Sequence, residues 1–259
     1  MSKGDVTGKG LLGRLRVFED TRLMVEFLVR KWQEISQDSV ERHGFFAVAL
    51  SGGRTPGDFY HALAEHKEMV LWDRTHIFLV DERFVPDTDS DSNYRMIRDA
   101  LLYKAPIPAQ NVHPISTAGP DPASCAKMYE EDLQRFFELL PSQLPVFDLV
   151  MLGMGADGHT ASLFPGSPVL DWADRLAGEV STAAGEHSRI TLTLPVINNA
   201  RNIIFLVTGK EKAEVLRDVI GKRGMKLPAS LVKPGSGDLL MLADSGAAML
   251  LPEKDFEEI

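Results

Sequence analysis

The chain has 259 residues, 44% of them hydrophobic, with 28 basic and 37 acidic side chains and a formal net charge of −9. That length is enough to bury a full core, and the acidic balance disfavours nonspecific binding to nucleic acid or to an anionic membrane. An anionic ligand must therefore be held by a locally built site, and the lone Cys125 excludes an internal disulfide and fits a reducing, cytosolic compartment.

The chain opens with MSKGDVTGKG, which lacks the apolar core of a signal peptide, and residues 1–12 read as a short flexible leader. No later apolar run approaches a membrane span. Residues 20–37 place Leu23, Met24, Phe27, Leu28, Lys31 and Ile35 at helical spacing, with Asp20 or Thr21 as the N-cap. The run FFAVAL (45–50) is a buried strand that ends in the glycine-rich SGGRTPG, with a helix expected to start near Pro56. A second strand is expected over THIFLVDE (75–82), then helices over 91–102 and 120–140. A third strand covers 146–155, a fourth 202–209 with a helix over 210–221, and a last strand 238–244.

Buried strands alternating with amphipathic helices predict a doubly wound α/β fold, a mostly parallel sheet with helices on both faces. The Pro/Gly clusters near 104–122 and 222–237 are too short to serve as linkers, so a single domain over 1–259 is expected. In such sheets ligands bind beyond the carboxyl ends of the strands. The distinctive residues fall there: Ser51–Gly57, Asp81–Arg83, Gly153–His159 and Gly209–Lys212.

In SGGRTPG, Gly52 and Gly53 let backbone amides approach a phosphate, Thr55 offers a hydroxyl, and the helix N-terminus adds positive partial charge. An ordinary strand-to-helix turn is an equally weighted reading of this loop alone. The spacing matches neither GxxxxGK[ST] nor GxGxxG, so a sugar phosphate suits it better than a nucleotide. In LVDERFVP, three charges can form a local ion-pair cluster, the favoured reading for Glu82, whereas Arg83 can hold an anion or a developing oxyanion.

The segment LGMGADGHTASLFPG (152–166) sets Asp157 and His159 in a frame of glycines after a core strand. A neutral imidazole there can accept a proton, and the neighbouring carboxylate can orient the ring and stabilise its charged form. His159 reads as a general base, against the alternative of a histidine that merely caps the loop. No GxSxG elbow is present, which favours base-activated water over a serine nucleophile. Arg189 and Lys212 complete a local positive field, while Lys210 reads as a solvated surface charge. No Cys/His spacing points to a metal site.

These motifs, SGGRTP, DERFVPDTDSDSNYRMIRDALL, LGMGADGHTASLFPG, RITLTLPVINNARNIIFLVTGKEKA and PASLV, resemble those of 6-phosphogluconolactonases over residues 50–232. The resemblance implies hydrolysis of 6-phospho-D-glucono-1,5-lactone in the oxidative pentose phosphate pathway, with no metal or organic cofactor. It implies that His159 activates water beside Asp157, that Arg83 lies near the lactone end, and that Gly52, Gly53, Thr55, Arg189 and Lys212 surround the phosphate. Many relatives read SGGSTP, which leaves open whether Arg54 joins the phosphate site or points away. The expected partner is a phosphorylated sugar lactone, with no nucleic acid and no membrane; oligomeric state is not readable.

Glucosamine-6-phosphate deaminases share the fold and resemble the pattern DGHIAFNEPG, with a glutamate assisting the histidine. Here the stretch reads DGHTASLFPG, and Phe164 stands in the glutamate's place. An apolar ring cannot relay a proton, which favours the lactonase. A deaminase-like isomerase and a noncatalytic sugar-phosphate-binding protein are the alternatives.

Overall fold

The computed structural model describes residues 15–181, 187–221, 226–252 and 257–258, and the expected leader over 1–12 lies outside them. The first element, β1 (Leu15–Phe18), is a short strand with no counterpart in the sequence reading. Asp20 then caps α1 (Thr21–His43), its side chain accepting the Leu23 amide, and Gly44 closes the helix at φ 92°. The helix therefore runs six residues past the expected end at 37, and Met24, Leu28, Trp32 and Ile35 form its buried face. Leu23, Phe27 and Lys31 sit half-buried at its flank.

Next come β2 (Phe46–Leu50), buried at every position, and α2 (Arg54–Glu65), which begins two residues before Pro56. The expected strand over 75–82 is divided into β3 (Thr75–Leu79) and β4 (Asp81–Arg83), which belong to different sheets. The helix expected over 91–102 is α3 (Asn93–Ile97) continued by a π-helical turn over Arg98–Leu102. A two-residue β5 (Val112–His113) precedes α4 (Pro122–Phe136), which Asp121 caps. Then follow β6 (Leu149–Gly153), β7 (Ala177–Val180), β8 (Arg189–Leu192) and the short α5 (Leu194–Asn198). The chain continues through β9 (Asn202–Val207), a 3-10 turn over Lys210–Lys212 and α6 (Ala213–Ile220). Last come α7 (Pro228–Leu231), β10 (Asp238–Asp244), α8 (Ser245–Ala248) and β11 (Glu257–Glu258).

The main sheet has the order β11-β1-β10-β9-β6-β2-β3-β5, and every neighbouring pair in it is parallel. The near-continuous burial of β2, β6 and β9 is what two covered faces require. The doubly wound α/β reading holds. From β2 the chain winds outward through β3 to β5, then returns to β6 on the other side of β2 and winds the opposite way. The winding reverses between β2 and β6, and a crevice opens at that point beyond the strand ends.

A second sheet, β4-β8-β7, is antiparallel and was not foreseen. Val80 joins the two sheets: its amide donates to the Leu50 carbonyl of the main sheet, and its carbonyl accepts the Leu192 amide of the small one.

Candidate active site

Two loops flank the switch point, and each is shaped by a close approach that excludes a side chain. A Cβ on Gly52 would lie 1.9 Å from the Asn93 side-chain oxygen, and one on Gly155 would lie 2.1 Å from Nδ1 of His159 and 2.6 Å from Oδ1 of Asp157. Glycine at 155 is thus a condition for the imidazole and carboxylate to meet where they do.

Both loops open on one cavity of about 420 Å³, which is lined by His159, Arg83, Arg189, Lys212 and all four residues from Gly52 to Thr55. Eight of the nine residues singled out from the sequence therefore share a wall, and the ninth, Asp157, touches it through His159. Arg54 is exposed and also borders an adjoining cavity of about 480 Å³. Lys210 is exposed and does not line the main cavity.

Nδ1 of His159 lies 2.6 Å from Oδ1 of Asp157, which also accepts the His159 amide at 3.1 Å. Burial would raise the Asp157 pKa, but the His159 amide, its charge and its ring N–H together bring it below the usual carboxylate value. An ionised Asp157 fixes the proton on Nδ1 and leaves Nε2, which makes no hydrogen bond among the described residues, as the acceptor on the cavity side. Phe164 packs on the imidazole with ring centroids 4.7 Å apart, so the position of the deaminase glutamate holds a ring with no proton to exchange.

Two of the cations arrive from the small sheet, where the register sets Arg83 directly opposite Arg189, and Lys212 comes from the turn after β9. Arg83 Nη1 donates to the Asp91 carbonyl at 2.6 Å, while its Nε is buried without a partner among the described residues. The ion-pair cluster expected at 81–83 is not what forms. Glu82 is buried and instead accepts the amides of Arg83, Asn93 and Tyr94, each at 2.7 Å, which anchors the start of α3. Burial pushes its pKa up, against the lowering effect of those three amides. Asp81 accepts from Ser162 Oγ at 2.6 Å and from the Asn93 amide group at 3.4 Å.

Asn93 and Thr208 line the cavity and were not singled out from the sequence; Ser51 lines it too, in the stretch 51–57 that the sequence marked without giving this residue a role. Thr208 shares a hydrogen bond with Thr55 across 153 positions, a contact that no local pattern encodes. Among the described residues, no three His, Cys, Asp or Glu side chains converge as a metal would need. No described helix is long and apolar enough to cross a membrane.

Residues 19–241 match the family described as glucosamine-6-phosphate isomerases/6-phosphogluconolactonase, and the chain belongs to it. The 6-phosphogluconolactonase of Synechocystis sp. is 41% identical over 81% of this chain and 86% of its own. That of Rattus norvegicus is 37% identical over 80% and 81%. The structure of 6-phosphogluconolactonase from Trypanosoma cruzi superposes with a TM-score of 0.82 at 31% identity, covering 92% of this chain and 97% of that one. A monomeric glucosamine-6-phosphate deaminase, at 18% identity and a TM-score of 0.76, shares the fold.

Proposed function

We propose that the protein is an enzyme that hydrolyses 6-phospho-D-glucono-1,5-lactone to 6-phospho-D-gluconate, with His159 as the base that activates water. The observation that carries the mechanism is the His159–Asp157 pair, 2.6 Å apart, on the same cavity as Arg83, Arg189 and Lys212. The names of the relatives support the substrate, and Phe164 against the imidazole supports lactonase over deaminase chemistry. The domain reading is one unit over 1–259, supported by both sheets contributing to one cavity. The cytoplasm is the proposed location, with no nucleic acid or membrane partner, as the acidic charge and the single buried Cys125 favour.

In this reading the phosphate sits against the Gly52–Thr55 loop and the N-terminus of α2, with Arg189 and Lys212 beside it. That fixes the lactone carbonyl near His159. The lactone already hydrolyses in water, so positioning supplies much of what is needed. Nε2 takes a proton as the water oxygen bonds to the carbonyl carbon, and Asp157 steadies the imidazolium. The amides of Gly155, Gly158 and His159 are engaged within their own turn, which favours Nε of Arg83 as the donor to the oxyanion. Collapse breaks the bond to the ring oxygen, which takes the proton back from Nε2, and the new carboxyl group ionises.

The test is the decay of freshly generated lactone with wild type and with His159→Ala. Wild type accelerates decay, and the variant loses roughly a hundredfold or more in turnover while phosphate affinity is retained. Full turnover by His159→Ala would falsify the base assignment, and no acceleration by folded wild type would redirect attention to ammonia release from glucosamine 6-phosphate.

A further inference from the structure

Most buried polar groups around the cavity are paired within the protein. Asp81 is held by Ser162 and Asn93, Glu82 by three amides and Ser92, and Thr55 by Thr208. Nε of Arg83, placed in the mechanism above, and Oγ of Ser51 are buried atoms of cavity-lining residues for which no hydrogen bond forms among the described residues. Ser51 is 4% exposed and follows directly on β2, and its carbonyl accepts the Tyr60 hydroxyl at 2.8 Å, which holds the main chain in place. A buried hydroxyl without a partner costs folding free energy, and a bound ligand that completes its hydrogen bonds recovers it.

We propose that Ser51 is a substrate-binding residue whose hydroxyl pairs with a hydroxyl or ring oxygen on the carbon frame of the bound sugar phosphate, not with the phosphate. The phosphate donors lie downstream of it: the amides of Gly52 and Gly53, the hydroxyl of Thr55 and the start of α2. Ser51 stands before them at the end of the central strand. Its neighbours are β6, which leads to His159, and β3, which leads to Arg83. Those are the two groups that must face the reacting carbonyl. A serine hydroxyl both donates and accepts, as a sugar hydroxyl does, whereas a phosphate dianion only accepts. The inference rests on the sugar-phosphate reading of the cavity but not on catalysis.

The experiment compares wild type, Ser51→Ala and Ser51→Cys in two measurements: melting without ligand, and titration with 6-phosphogluconate and separately with inorganic phosphate. Ser51→Ala is expected to melt at the wild-type temperature or above it, since an unpaired buried hydroxyl has been removed. It should bind 6-phosphogluconate about tenfold more weakly, the loss of one hydrogen bond, with phosphate affinity unchanged. Ser51→Cys should fall between the two. With the lactone, KM should rise more than kcat falls.

Unchanged affinity for 6-phosphogluconate overturns the proposal, and so does an equal loss for both ligands, which would assign the contact to the phosphate. A lower melting temperature for Ser51→Ala also overturns it, because the hydroxyl would then have a structural partner. Wild type that binds 6-phosphogluconate but leaves the lactone untouched removes the lactonase reading alone. Wild type that binds neither ligand removes both.

Discussion

The site end of the sheet and its opposite end each hold a histidine beside an aspartate, and only one of these pairs is placed to do chemistry. His159 meets Asp157 at 2.6 Å, with its other nitrogen on a cavity. His113 meets Asp132 at 3.0 Å, but its other nitrogen faces His76 at 3.3 Å and its ring stacks on Phe78 at 4.1 Å. His43 makes a third such pair with Asp148, which also accepts the Ala47 amide. A His–Asp pair is therefore common architecture, and what the second nitrogen meets decides whether it can act as a base.

The largest effect that separates the two ends is expected from Asp148→Ala. Asp148 is 1% exposed and joins His43, Arg201 and the edge of β2, so its loss should cost about 3 kcal/mol of stability, read by denaturant unfolding. Turnover by the folded fraction should stay at the wild-type value; a fall in turnover would mean that the far end is coupled to the reaction. Gly155→Ala should do the reverse. Its Cβ cannot coexist with the His159–Asp157 contact, so turnover should drop about a hundredfold, the scale of a misplaced base, with little change in melting.

Arg189→Ala should raise KM about tenfold, as expected for one charge-assisted contact to phosphate, with kcat nearly kept. Loss confined to kcat would move Arg189 from holding the substrate to the reaction itself.

The smallest expected effect is on pH dependence at the far end. Burial and the charge of His113 push the His76 pKa down from 6.5 to about 4. The unfolded chain therefore takes up this proton first as pH falls. The stability tied to neutral His76 is complete above about 6.5 and is lost on acidification toward 4. His76→Leu should flatten that part of the stability curve, a change of about 3 °C in Tm. An unaltered curve would show that His76 does not report on this end.

The main strands were legible because strands buried on both faces read as unbroken apolar runs; β10 falls on the expected residues 238–244. The two glycine loops were legible because turn residues mark strand ends. The small sheet was not legible, since β4, β7 and β8 are three or four residues long and pair only through distant partners. The unbroken run 75–82 concealed the change of sheet at Val80, where no glycine or proline marks it. Asn93 and Thr208 were missed for the same reason: their place in the site is set by chain segments far away in sequence. Asp157, close to His159 in sequence, does meet it in the fold, but the sequence could not show that His43 and His113 also acquire aspartates.

The stitch at Val80 has a consequence for how such enzymes diversify. His159 follows a strand of the large sheet, while Arg83 and Arg189 lie on the small one; the two are joined through the main chain at Val80 and through Ser162, which bonds Asp81 and Thr191 of the small sheet. Replacing Arg83 or Arg189 would change what the cavity presents to a ligand without touching the His159–Asp157 contact. One scaffold can in this way vary the arginine wall of its cavity while the histidine wall stays in place.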